Sequence, residues 1–221
     1  MRVFRDDTNL DATPDLWLFW PKPPKICTSK PGGNGDGIDD VIIGAPGADP
    51  NGNSRAGESY VVFGTKTGFP AAINLFDLNG SNGFVINGID AGDRLGGFFG
   101  ISDAGDVNGD GVKDVVIGAF AADPNGQSGA GESYVVFGTA TGFPSALNLS
   151  DLDGSNGFVI NGIDAGDLSG RGVSGAGDIN GDGVGDVIIG AVRAGQNGGG
   201  ESYVVFGSPR SASGCPDRMA L

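Results

Sequence analysis

The chain has 221 residues, among them 44 glycines and no histidine, and a formal charge of −14. The missing histidine excludes Ser-His-Asp and Cys-His nucleophile systems and His-ligated zinc or iron. The charge disfavours nucleic acid and anionic membranes and favours cations: three divalent ions would reduce it to about −8.

The glycines show no G-X-Y period, which excludes collagen. Runs such as "DVVIGA" and "SYVVFG" are apolar and strongly β-forming, which argues against disorder. The composition therefore predicts many short strands joined by glycine-rich turns.

Residues 1–31 match nothing else in the chain and hold both tryptophans. Their apolar run, Leu16–Trp20, has five residues and follows acids. A signal peptide needs about 7–15 apolar residues after a basic region, so no export signal is visible. No segment approaches the ~20 apolar residues of a membrane helix, so no membrane insertion is expected. Cys27 and Cys215 lie near opposite ends without metal-ligand spacing. They are incidental thiols or a pair, and their count does not fix the redox compartment.

From Gly32 onward the chain repeats. Asn34–Asp93 aligns without a gap on Asn108–Asp167, 48 of 60 positions being identical. A third copy starts at Asn180 and runs to Gly207. Each unit reads as four strands. The first lies before an acidic run, as at Gly172–Gly175. The second is "DVVIGA", Asp114–Ala119. The third is "ESYVVFG", Glu132–Gly138. After a longer connection comes the fourth, "GFVINGI", Gly157–Ile163. Four-stranded units in series are the pattern of β-propeller blades. The expected fold is all-β, an incomplete propeller of about three blades. Its divisions are a non-repeat segment (1–31), repeat 1 lacking its first strand (32–97), repeat 2 (98–171), repeat 3 lacking its fourth strand (172–207) and a tail (208–221), expected to be disordered.

The acidic run "DVNGDGVKD" places side-chain oxygens at alternate positions. A hard cation such as Ca²⁺ takes six to eight oxygens in a flexible cage. The run offers Asp106, Asn108, Asp110, the Val112 carbonyl and Asp114. The third copy offers Asp178, Asn180, Asp182, the Val184 carbonyl and Asp186. The first copy has Gly32 where an aspartate belongs. It keeps Asn34, Asp36, the Ile38 carbonyl and Asp40, so its site should be weakest. An EF-hand needs Glu at position 12, where this chain has Ile117 and Ile189, and it needs flanking helices instead of strands.

The acidic loop, "GAP" at Gly44–Pro46 and "FG" at Phe99–Gly100 resemble the FG-GAP repeats of the integrin α-subunit N-terminal β-propeller. The resemblance covers about residues 32–207. It implies blades that hold Ca²⁺ between their first and second strands, at the ligand positions just named. It also implies an extracellular or cell-surface setting and a protein or glycan ligand. "GAP" becomes Gly118–Phe120 and Gly190–Val192 in the later copies, and the third lacks "FG", reading Arg171–Gly172–Val173. Propellers of the family usually have seven blades, and three cannot close around an axis. Further blades from another chain or a longer gene product are then required.

The expected function is a non-catalytic, calcium-stabilised adhesion or interaction module. The alternatives are an accessory repeat region of a secreted hydrolase, such as a phospholipase D that cleaves glycosylphosphatidylinositol anchors, or a piece of a larger propeller with no independent role. Glycosidase chemistry needs only two carboxylates, but nearly all the acids here belong to the repeat. Glu58, Glu132 and Glu201 are expected to brace loops. Asp90, Asp93, Asp164 and Asp167 are expected to cap turns. Asn79 and Asn148 sit in N-x-S sequons.

Overall fold

A computed structural model describes residues 33–209 and the backbone of Ile26–Thr28. The expectations for residues 1–25, Gly32, the cysteine pair and the C-terminal tail lie outside the described residues. Among the described residues, twelve strands form three sheets.

The first sheet has the order β1-β2-β3-β4-β8. Its strands are β1 (Ile26–Thr28), β2 (Val41–Ala45), β3 (Glu58–Val62), β4 (Gly83–Asn87) and β8 (Ala146–Asn148). The second runs β5 (Ile101–Gly105), β6 (Asp114–Ala119), β7 (Glu132–Val136) and β9 (Gly157–Asn161). The third has β10 (Ser169–Gly177), β11 (Asp186–Ala191) and β12 (Glu201–Val205). All neighbours pair antiparallel except β4 and β8, which run parallel.

The repeat units coincide with the sheets, with two differences. Ile26–Thr28 pairs with Val41–Ile43 and takes the first-strand position of the first sheet, which the sequence comparison leaves empty. Ladder bonds use backbone groups, so this edge can be filled by a segment with no sequence likeness to the repeat. Residues 146–148 belong to the second unit's long connection, yet they pair with β4 of the preceding sheet. That connection straps two units together.

Strand alternation sends side chains to opposite faces. In β2, Ile42 joins one buried cluster while Val41 and Ile43 join another. The first cluster fills the space between the first two sheets. It sets Ile42, Val61, Phe84 and Ile86 against Ile117, Val136 and Leu149. A second cluster sets Val116 and Val135 of the middle sheet against Val187 and Ile189 of the third. The sheets are thus stacked face to face, and every residue of β6 is buried. That is why its run reads as continuously apolar apart from its first residue.

Glycine permits the closest contact between sheets. A Cβ on Gly118 would lie 1.8 Å from the Gly170 carbonyl oxygen, and one on Gly44 would lie 2.3 Å from that of Gly96. Both glycines are the first residue of the "GAP" tripeptide or its counterpart Gly118–Phe120, where β2 and β6 pass the backbone of Gly96 and Gly170. Overpacking there should be costly: Gly118→Ala is expected to lower stability by roughly 1–3 kcal/mol in urea unfolding. Gly47→Ala, where a Cβ meets no atom within 4 Å, should stay within about 0.5 kcal/mol.

Candidate functional site

Each acidic loop joins the first two strands of its unit. In the second and third sheets it follows a β-bulge, between Asp103 and Gly105 and between Gly175 and Gly177. Gly105 and Gly177 have φ of 76° and 75°, a left-handed conformation that costs glycine little. Within the loops, Gly109 and Gly111 (φ 71° and 87°) and Gly181 and Gly183 (φ 78° and 88°) turn the chain again.

Short side chains tie the loop to its own backbone. Asp110 N–H donates to Asn108 Oδ1 at 2.9 Å, and Val112 N–H to Asp110 Oδ1 at 2.8 Å. Asp106 accepts from the N–H groups of Asp110 (3.0 Å) and Gly111 (2.8 Å). Asp178 accepts from Gly181, Asp182 and Gly183 at 2.7–3.0 Å. The first loop keeps the inner bonds, Asp36 N–H to Asn34 Oδ1 at 3.0 Å and Ile38 N–H to Asp36 Oδ1 at 2.8 Å. A glycine at position 32 has no carboxylate to supply the outer brace.

The ninth residue behaves differently from the other acids. Asp114 is buried and accepts two backbone bonds, from Val107 N–H at 2.8 Å and Gly138 N–H at 2.8 Å. Asp186 repeats this with Ile179 N–H at 2.7 Å and Gly207 N–H at 2.9 Å. Asp40 accepts from Gly64 N–H at 2.9 Å, while its Oδ2 is buried with no hydrogen-bond partner. Burial pushes Asp114 up to about 7 and Asp40 up to about 6, against the opposing pull of these N–H groups. Both carboxylates line a narrow crevice between the first two sheets, beside Gly33 and Lys113.

The five positions of each loop are therefore contiguous, but the carboxylates are not gathered. Among the described residues, no group of three or more Asp, Glu or Cys side chains is placed to hold a metal ion. The reason is visible in the second loop: Asp114 turns to two backbone N–H groups, which leaves half-buried Asp106 and exposed Asp110 as the remaining acids. The donor set is nonetheless all oxygen, which suits a hard cation, and a buried carboxylate oxygen without a partner at Asp40 is a group that a cation or water would satisfy.

Other acids have roles that residue type alone does not disclose. Glu58, Glu132 and Glu201 accept hydrogen bonds from the tyrosine two residues along the same strand, Tyr60, Tyr134 and Tyr203, instead of bracing loops. Lys113 pairs with Asp103 at 3.0 Å and offsets charge beside the second loop. Asn148 Oδ1 accepts from Asn87 Nδ2 of the neighbouring strand at 3.0 Å, which occupies one of the two sequons. Asp93 is buried and its Oδ2 accepts from Asp90 N–H at 3.2 Å, closing the turn before the next unit.

The sequence is similar to that of known proteins. Residues 34–62 match the family model of the FG-GAP repeat. The chain is 30% identical over 193 residues to phosphatidylinositol-glycan-specific phospholipase D of Bos taurus, covering 85% of this chain and 20% of that protein. It is 28% identical over 188 residues to integrin alpha-PS2 of Drosophila melanogaster, covering 84% of this chain and 12% of that one. Integrin alpha pat-2 of Caenorhabditis elegans is 32% identical over 187 residues, covering 79% and 13%. The chain thus spans a fifth or less of the length of these relatives.

Burial pushes Asp93 from an ordinary 3.8 up to about 6, with the charges of Asp90, Glu132 and Asp123 adding to it. The folded state therefore holds this proton more tightly than the unfolded state. Stability is fullest below the unfolded value and falls as pH rises from about 4 to about 6. Asp93→Asn is expected to remove about 2 kcal/mol of that fall, measured by urea unfolding across this range in chelator.

Proposed function

We propose that this FG-GAP repeat protein, which resembles the integrin α-subunit β-propeller, is a non-catalytic interaction module whose loops bind Ca²⁺. The observation that carries the reading is the repetition of one loop geometry in three sheets, each ending in a buried carboxylate at position nine. The residues that would hold the ion are Asp106, Asn108, Asp110, the Val112 carbonyl and Asp114 in the second loop. In the third they are Asp178, Asn180, Asp182, the Val184 carbonyl and Asp186. In the first, Asn34, Asp36, the Ile38 carbonyl and Asp40 form the weaker set. The ion would supply charge neutralisation.

Its effect would be structural. Carboxylates four and eight residues apart along the loop repel one another when ionised, and Asp106 and Asp110 both raise the proton affinity of Asp114. A cation reverses that sign and holds the loop across its strands. The partner of the module is a protein or glycan, met on the loops and outer surface, in an extracellular or cell-surface setting. Support for this comes from the likeness to integrin alpha chains.

A second reading is an accessory region of a hydrolase, favoured by the likeness to a phospholipase D over 85% of this chain. In that reading too the repeat carries no chemistry of its own. The chain has no histidine to serve as base or metal ligand.

Calorimetric titration with Ca²⁺ tests the proposal. Two stronger sites and one weaker site per chain are expected, with Asp106→Ala and Asp178→Ala each removing one stronger site. Each occupied site should stabilise the fold by about 2.7 kcal/mol at a hundredfold excess over Kd, and EDTA should reverse the rise in Tm. A flat titration with an unchanged Tm would sink it.

A further inference from the structure

The chain contains eleven Asn-Gly pairs, a dipeptide with a chemistry of its own. The glycine nitrogen can attack the Asn side-chain carbonyl carbon, because no Cβ crowds it and glycine reaches conformations closed to other residues. The N–Cγ bond forms, and the amide nitrogen leaves as ammonia with the proton lost from the glycine nitrogen. A five-membered imide results. Water opens it at either carbonyl and leaves aspartate or isoaspartate. The dipeptide is the same in every pair, so the fold decides which pair reacts.

A glycine N–H held in a hydrogen bond is withheld from this attack. Gly52, Gly126 and Gly198 donate to the carbonyl three residues back, at 3.2–3.3 Å. Gly80 donates to the Gly83 carbonyl, Gly88 to that of Gly57 and Gly162 to that of Gly131, at 2.7–2.9 Å. Gly83 and Gly157 are the buried first residues of β4 and β9, and the asparagines before them are fixed at both ends of the amide. Asn82 accepts from Asn79 N–H and donates to the Asp77 carbonyl, and Asn156 does the same with Asp153 and Asp151.

The remaining pairs occupy position three of the acidic loops. Asn34, Asn108 and Asn180 are set alike. The Oδ1 of each accepts from the N–H two residues on, which polarises the carbonyl, and the Nδ2 donates to the carboxylate of that same residue. They differ at the glycine. In the third loop, Gly181 N–H donates to Asp178 Oδ1 at 2.7 Å. In the first loop position one is Gly32, which has no carboxylate, and Gly35 N–H makes no hydrogen bond among the described residues. Gly109 N–H is also unbonded among them, but Asn108 is only 2% exposed, which keeps away the water that must take the proton and open the ring. Asn34 is half-buried and Gly35 is exposed.

We propose that Asn34–Gly35 is a site of spontaneous deamidation, singled out among like pairs by its unbound glycine N–H. The loop that lacks a carboxylate at position one thereby gains one at position three in the aspartate product. Isoaspartate adds a carbon to the backbone at the same point. With Asp36 and Asp40, the aspartate form has as many carboxylates as Asp106, Asp110 and Asp114 give the second loop, so it holds Ca²⁺ more tightly. This last consequence alone rests on the calcium reading.

Peptide mapping by mass spectrometry on the full chain, aged in EDTA at mildly alkaline pH, tests the site. Asn34 should convert before every other pair and about tenfold faster than Asn180, a factor within reach of one hydrogen bond to a charged acceptor. Asp178→Ala frees Gly181 N–H and should bring Asn180 to the rate of Asn34, with circular dichroism checking the fold. In urea, where no loop is formed, all the pairs should convert at similar rates. Conversion of Asn34 no faster than that of Asn180 in the folded chain overturns the proposal. A lead for Asn34 that persists undiminished in urea also overturns it. These readouts are masses taken without calcium, so they stand apart from the calcium reading. In a Ca²⁺ titration, Asn34→Asp should tighten the weakest site, and an unchanged weakest site overturns the consequence for the cation.

Discussion

Each sheet depends on one buried carboxylate. Asp40, Asp114 and Asp186 sit where the acidic loop meets the second strand, and each accepts an N–H from the glycine just past the third strand: Gly64, Gly138 or Gly207. In the two later sheets the second carboxylate oxygen also holds the loop's own second residue. A single side chain therefore ties the loop, the central strand and the end of the third strand. Hydrogen bonds to a charged acceptor contribute about 1.5–3 kcal/mol each, and losing the acceptor leaves buried donors unpaired. At Asp114 and Asp40 burial raises the proton affinity of the carboxylate itself.

That constraint explains why the loops and the stacking go together. The loop's second residue lies between the carboxylate that holds its N–H and the neighbouring sheet that donates to its carbonyl. Ordering the loop thereby orders the contact between sheets. A cation on the loop would act on both through the same few atoms. The first-position acids, half-buried Asp106 and exposed Asp178, accept from N–H groups within the turn, while the ninth residue anchors it.

Much of this was legible in the residues. The recurrence of "ESYVVFG" and of "DVVIGA", or its near-copy "DVIIGA", located the central strands, because strands covered on both faces read as short apolar runs bounded by glycine. What escaped notice is non-local. Pairing of Ile26–Thr28 with β2 uses backbone groups that any sequence supplies. The parallel pairing of Ala146–Asn148 with β4 joins segments about sixty residues apart. In the loops, counting oxygens predicts Asp114 as a cation ligand but does not show that both its oxygens face backbone N–H groups. That arrangement depends on Gly138, 24 residues on, which a nine-residue pattern does not contain. The tyrosine partners of Glu58, Glu132 and Glu201 were readable in principle, since residues two apart on a strand share a face.

Amide hydrogen exchange, read residue by residue, tests the role of the ninth carboxylate most directly. The account predicts that Val107, Gly138, Ile179 and Gly207 exchange as slowly as the amides of β6. Asn at position 114 has one acceptor oxygen in place of two, so Asp114→Asn should release one of Val107 and Gly138 while leaving Ile179 and Gly207 protected. If all four amides exchange in the native protein at the rate of open loop amides, the carboxylates do not hold the sheets together.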